Sequence, residues 1–124
     1  MEVIKSSADI SELFSTGKRL KNPYLTLIVR PRVEKEDIVG MRQHDLKGRV
    51  AFIAGKRLGN AVWRNAAKRR MRALCRELGG PWAGYDVIFL AKSSLTTSSY
   101  SKVLSACGKT LSRSGLSNVE HVDE

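Results

Sequence analysis

Apolar positions recur at helical spacing in Ser7–Thr16, where Ile10, Leu13 and Phe14 share one face. Asp9 can cap such a helix with Glu12 three residues on, and Gly17 ends it. The pattern then changes period. In Tyr24–Arg32 the residues Leu25, Leu27 and Val29 alternate with Tyr24, Thr26, Ile28 and Arg30, which predicts a strand that Pro31 ends or marks as an edge. Val33–Lys47, of mixed charge, reads as an exposed loop to a second strand, Arg49–Gly55, and chain order suggests that the two strands are antiparallel neighbours. Asn60 is a good N-cap, and nothing breaks a helix from there to about Leu78, where Gly79, Gly80 and Pro81 stop it. Tyr85–Ala91 is a near-continuous apolar run of strand length. Ser93–Ser101 suits a turn and a cap before a last helix with the stripe Tyr100, Val103, Leu104, Cys107 and Leu111. The fold class expected is therefore α+β, a small mixed sheet with packed helices in the order α-β-β-(β)-α-β-α, the optional short strand lying around Lys56–Gly59. Residues 1–113 are expected to form a single domain, and residues 114–124, which lose periodicity and gain acid, a disordered acidic tail.

Composition narrows the class. With 42% hydrophobic and 27% charged residues the chain is expected to fold. No apolar run approaches the roughly 20 residues of a membrane-spanning helix, and no signal peptide is visible, so a cytoplasmic location and no membrane partner are expected. Cys75 and Cys107 each sit in an apolar pattern and read as buried thiols.

Charge changes the picture most. Twenty-two Lys and Arg against twelve Asp and Glu give +10, and nine of the basic residues with no acidic one fall between Arg49 and Arg76. Charge segregated in this way self-repels, so a polyanionic partner, nucleic acid first, is its natural explanation. At about 100° per residue, Ala67, Met71, Leu74, Cys75 and Leu78 share one arc of the central helix, which should face the core. Lys68, Arg72, Asn65, Arg76 and Arg69 form a stripe on the other side, and Arg64, in the first turn, should point past the helix end. Arg64, Lys68, Arg72 and Arg76 are like charges at every four-residue step, where a helix selected for stability mixes signs. Cations near a helix N-terminus also oppose the macrodipole. The preceding Gly55-Lys56-Arg57-Leu58-Gly59-Asn60 loop reads either as a plain glycine turn or as a phosphate-binding element at the helix start.

The segment from Gly55 to Glu77 resembles the signature of the bacterial ribonuclease P protein component. Lys56-Arg57, Gly59-Asn60-Ala61-Val62, Arg64-Asn65, Lys68-Arg69 and Arg72 carry the resemblance. Phe14 to Gly17 and Ala91-Lys92 extend it more loosely over nearly the whole chain. The resemblance implies a fold like that of certain ribosomal proteins, with the signature helix on a left-handed β-α-β crossover. It implies an accessory subunit to a catalytic RNA, which hydrolyses the bond joining the 5′ leader to tRNA with magnesium ions held mainly by RNA. The RNA subunit would be met by Lys56, Arg57, Asn60, Arg64, Asn65, Lys68, Arg69, Arg72 and Arg76. An open sheet face beside the first helix would bind the leader of precursor tRNA, with Phe14, Tyr24, Ile28 and Phe89 as candidates; the same four are equally what a plain core contains. Two positions depart from the family pattern. Ala66 stands where an Arg is usual, but off the stripe, so a weakened contact is expected. Ile10 stands where a Phe is frequent and cannot stack on a base.

Nothing here builds a protein active site, so no catalytic or metal-binding residue is expected. His44 lies in the mixed-charge loop and His121 in the tail, and neither His nor Cys shows zinc spacing. Ser99 and Lys102 fit a Ser-x-x-Lys pattern, which helix capping explains better. No obligatory protein partner is expected. The stripe alone fits a ribosomal or other structural RNA-binding protein equally well, and a duplex-DNA binder less well, for want of helix-turn-helix spacing.

Overall fold

Ten residues, Ser7–Thr16, form the first helix, α1. Its cap is Ser6, whose Oγ accepts the Asp9 N–H at 3.2 Å, so Asp9 is a first-turn residue and not the cap expected. The computed structural model describes residues 1–32 and 46–116. Strands follow at Lys18–Lys21 (β1), Leu25–Pro31 (β2) and Arg49–Ile53 (β3). Helix α2 spans Ala61–Glu77, β4 spans Tyr85–Ala91 and α3 spans Tyr100–Ser114. The element count meets expectation, but the fourth strand is not where it was sought. Lys56–Leu58 is a 3-10 turn, and the additional strand is β1. Asn22 makes the hairpin between β1 and β2, its Oδ1 accepting the N–H groups of Tyr24 and Leu25 at 2.8 and 3.0 Å.

The sheet order is β1-β2-β4-β3. This corrects the expected pairing of β2 with β3: β4 lies between them, antiparallel to β2 and parallel to β3. The parallel pair β3 and β4 is joined through α2, since parallel neighbours need a crossover connection. The final helix runs past the expected domain boundary, through Ser114 to a left-handed cap at Gly115, and Leu116 is buried in the core. The rest of the expected tail, residues 117–124, and most of the expected loop, residues 33–45, lie outside the described residues.

Alternation along the strands divides the interior in two. Leu25, Leu27, Val29, Val50, Phe52, Val87, Phe89 and Ala91 face α2 and α3, whose Ala67, Met71, Leu74, Val103, Cys107 and Leu111 complete the larger core. Ile28, Ala51 and Ile88 face the other way, against Ile4 and Leu13. There α1 ends so close to β2 that a Cβ on Gly17 would lie 2.5 Å from Ile28 Cγ2, which is why glycine follows the helix. An ion network fixes the same helix to the sheet. Asp86, 1% exposed, accepts Arg49 Nε and Nη2 at 2.9 and 2.8 Å, and Arg49 also meets Asp9 at 3.5 Å. Arg30 bridges Asp86 and Glu12 at 3.7 and 3.8 Å.

Burial pushes the Cys75 thiol up to about 11, slightly opposed by Arg76, and it also raises Cys107, against the pull of the Asn22 amide. Both folded values lie above the usual ~8.5 of an exposed thiol. The stability linked to these protons is therefore complete below that value and is lost as pH rises toward 11 through the folded values. At pH ~8 the native thiols should react with a disulfide reagent at least ~100-fold more slowly than the urea-unfolded chain. Comparable rates in the two states would refute the burial.

Candidate nucleic-acid interface

Helix α2 turns Ala67, Met71, Leu74 and Cys75 into the core, as its apolar arc requires. The opposite side carries exposed Asn65, Arg69 and Arg76 and half-buried Lys68 and Arg72, and the 3-10 turn before it adds exposed Lys56 and Arg57. Arg72 lies 5.3 Å from the Phe52 ring centroid, which restrains its guanidinium. Arg64 reaches back past the helix start to donate to the Gly59 carbonyl at 3.2 Å. Asn60 is the N-cap: its Oδ1 accepts the Trp63 N–H at 2.9 Å, so what it can offer a ligand is its amide N–H. Val62, 75% exposed, and Leu58, 38%, set apolar surface among these cations, which the charge pattern gave no reason to expect.

Two members of the basic run have structural duties. Arg49 is held by Asp86 on the α1 side of the sheet. Its pKa is raised, first by that hydrogen bond and against the cost of burial, so it stays charged. Arg70, off the stripe, turns inward, where Nη1 donates to the carbonyls of Leu95 and Ser98 at 3.0 and 2.7 Å and its guanidinium lies 5.6 Å from the Tyr100 ring centroid. With Trp63 Nε1, which donates to Thr96 Oγ1 at 2.8 Å, it ties α2 to the segment between β4 and α3 and so sets the direction of the stripe. Of the nine clustered cations, removing Arg49 and Arg70 leaves seven on the outer surface. Among the described residues the salt bridges gather on Arg30 and Arg49, on the other side of the sheet, and none involves these seven.

The four residues expected at a leader-binding face do not come together. Phe89 is 0% exposed and lies beneath α2, 6.3 Å from Trp82 and 5.4 Å from Phe52 by ring centroids, so it is a core residue on the opposite face of the sheet from Ile28. Ile28 is also 0% exposed, and Tyr24 packs against the larger core. Tyr24 and Phe14 stay partly open, and Arg19 lies 5.5 Å from the ring centroid of Phe14. Beside it, Leu90 and Ile53 are partly buried on the α1 face, in a register row that crosses the sheet as Lys21, Thr26, Leu90 and Ile53. Leu90 and Ile53 of this row, with Phe14, make an apolar floor on the α1 face, Thr26 lies buried within the row, and Lys21 and Arg19 set cations at its β1 side. Alternation along each strand carried this information, but only the strand order could assemble it.

Other candidate chemistry resolves simply. Ser99 caps α3, its Oγ accepting the Lys102 N–H at 3.3 Å. Among the described residues no three of His, Cys, Asp and Glu come together as a metal-binding group, and no helix is long and apolar enough to cross a membrane. His44 and His121 lie outside those residues.

The Ribonuclease P family model matches residues 1–115. A ribonuclease P protein component from Streptococcus mutans is 31% identical over 98 residues, which are 79% of this chain and 73% of the relative. One from Gluconacetobacter diazotrophicus is 24% identical over 119 residues, 94% of each chain. Among solved structures, the Staphylococcus aureus RNase P protein superposes with a TM-score of 0.72 at 19% identity, covering 94% of this chain and 97% of that one. The Thermotoga maritima RNase P protein gives 0.69 at 24%, covering 91% and 97%.

Proposed function

The chain belongs to the ribonuclease P protein family, and from that premise we propose that it is the accessory subunit of an RNA-based endonuclease that matures the 5′ end of tRNA. The observation that carries the reading is the surface of seven outward cations, unneutralised by any described carboxylate, on the 3-10 turn and on the helix after it, whose other side is locked to the core. Guanidinium forks suit phosphate oxygens, and exposed Val62 and Leu58 suit the sugars between them. Lys56, Arg57, Arg64, Asn65, Lys68, Arg69, Arg72 and Arg76 are the contacts to the catalytic RNA, with Asn60 contributing through its amide. Cleavage belongs to that RNA. Asp9, Glu12 and Asp86 are each paired with Arg30 or Arg49 and do not fit a magnesium site, so the magnesium of the reaction is assigned to RNA phosphates.

The floor formed by Phe14, Thr26, Leu90 and Ile53, edged by Arg19 and Lys21, suits the single-stranded leader: an aromatic ring for a base, apolar surface beneath it and cations for phosphates. Phe14→Leu keeps the packing against α1's cluster and removes the stacking ring. It should weaken binding of leader-bearing precursor by ~1–3 kcal/mol and leave mature tRNA unaffected; equal losses for both would remove Phe14 from the leader site. The decisive test of the whole reading is reconstitution at low magnesium with catalytic RNA and precursor tRNA. A rise in correct 5′ processing supports it. RNA binding without that rise would mark a structural RNA-binding protein, and cleavage by the isolated chain would overturn the division of labour.

A further inference from the structure

The row Lys21, Thr26, Leu90 and Ile53 has unlike ends. At its β3 end the chain runs within three residues into Lys56 and Arg57, the start of the cationic surface assigned to the catalytic RNA. At its β1 end the sheet stops, and three of the four residues of β1, Lys18, Arg19 and Lys21, are exposed cations. The outer edge of β3 is partly closed by the N-terminal segment. Ile4 N–H donates to the Val50 carbonyl at 2.8 Å and Val50 N–H to the Glu2 carbonyl at 3.1 Å, which sets Glu2 near Asp9 and Arg49 at that edge. A polyanion lying across the floor therefore meets, on the β3 side, an edge partly closed by the N-terminal segment and leading into the cationic surface already assigned to the catalytic RNA, and on the β1 side an open, cationic edge.

Behind the β1 edge, on the α2 face of the sheet, lies α3, tied to the turn after β1 by the Asn22 amide, which donates to Thr110 Oγ1 at 3.1 Å. Its outer face exposes Lys102, Lys109 and Arg113 among serines, and the helix has no acidic residue. A helix serving stability alone mixes signs. In this chain the two charged residues of α1, Asp9 and Glu12, are instead neutralised by arginines of the sheet. The cations of α3 have no such partner among the described residues.

Four strands about 4.8 Å apart make a floor only ~15 Å across, room for a few nucleotides. A longer 5′ extension has to leave the sheet over one edge. We propose that it leaves over β1 and is held by the outer face of α3, so that Lys102, Lys109 and Arg113 form a second contact for the single-stranded extension, distal to the cleavage site. This proposal rests on the leader reading above. It makes the protein sensitive to leader length beyond what the floor alone can hold.

The test uses the full chain assembled with catalytic RNA and two precursors, one whose leader fits the floor and one several-fold longer. Lys102→Ala, Lys109→Ala and Arg113→Ala are combined in one variant, with its urea midpoint measured to verify folding. For the long leader the slope of log K against log salt should fall by ~2, three contacts at ~0.7 each for single strands, and the short leader should be unaffected. Equal losses for both leaders, no loss for either, or weakened binding of the catalytic RNA alone would overturn the proposal. Phe14→Leu separates the two readings. If it leaves short-leader affinity unchanged, the floor reading falls; if it lowers that affinity while the α3 variant leaves the long leader untouched, only the exit path falls.

Discussion

Asp86→Ala is expected to cost about 3–5 kcal/mol of folding stability, close to the whole margin of many small domains. Asp86 is 1% exposed, and its two oxygens hold the Arg49 fork and the Arg30 guanidinium, which in turn hold Asp9 and Glu12 of α1. Removing the carboxylate leaves two largely covered cations with only their longer ion pairs to Asp9 and Glu12, and it removes the centre of the network that joins α1 to the sheet. Both arginine side chains keep 17–18% of their surface in water, which places the loss toward the lower end of the range. The urea midpoint reports the effect directly. A double replacement, Asp86→Leu with Arg49→Met, should recover much of the loss, because an apolar pair of similar volume needs no desolvation of charge. A single variant within ~0.5 kcal/mol of the parent would show that the network contributes nothing to folding.

The second large effect concerns binding and has the opposite sign in stability. Replacing Lys56, Arg57, Arg69 and Arg76 together by alanine should lower the slope of log K against log salt by ~3–4 for the catalytic RNA, and weaken binding by about a thousandfold near 0.1 M salt. All four are exposed and none pairs with a described carboxylate, so folding loses no contact. Relief of like-charge repulsion along α2, a few tenths of a kcal/mol per pair, should leave the variant as stable as the parent or slightly more so. Stability retained while binding collapses is the signature of residues kept for a partner. Retained binding would mean that the RNA contact lies elsewhere on the molecule.

The sequence foretold α2 most fully. Its apolar arc, its Asn60 cap and its Gly79-Gly80 stop all act locally, and the structure realises the stop through Gly79 N–H to the Arg76 carbonyl at 3.2 Å and Gly80 N–H to the Cys75 carbonyl at 2.9 Å. Strand β4 was equally visible because it is apolar on both faces, and both faces are covered. Strand β1 was invisible because Lys-Arg-Leu-Lys has no alternating apolar face; its conformation comes from pairing with β2. The misplaced adjacency of β2 and β3 came from taking sequential strands as neighbours, when the α2 crossover inserts β4 between them. The same gap misassigned Phe89. Without the strand order, nothing tells whether Phe89 and Ile28 share a face. Arg70 shows the complementary limit, since a cation bound to backbone carbonyls looks, in sequence, like one more member of a basic run.

Strand order also constrains how the molecule is born. The central strand β4 is the last of the four to be synthesised, and it pairs with β2 across more than half the chain, Thr26 opposite Leu90. Until it emerges, one edge of β2 and one edge of β3 stand unpaired, and the long loop between them must close before the ladder repays its entropy. A nascent chain that stops short of Ala91 carries the complete basic helix on an unfinished platform, with apolar strand edges open to aggregation.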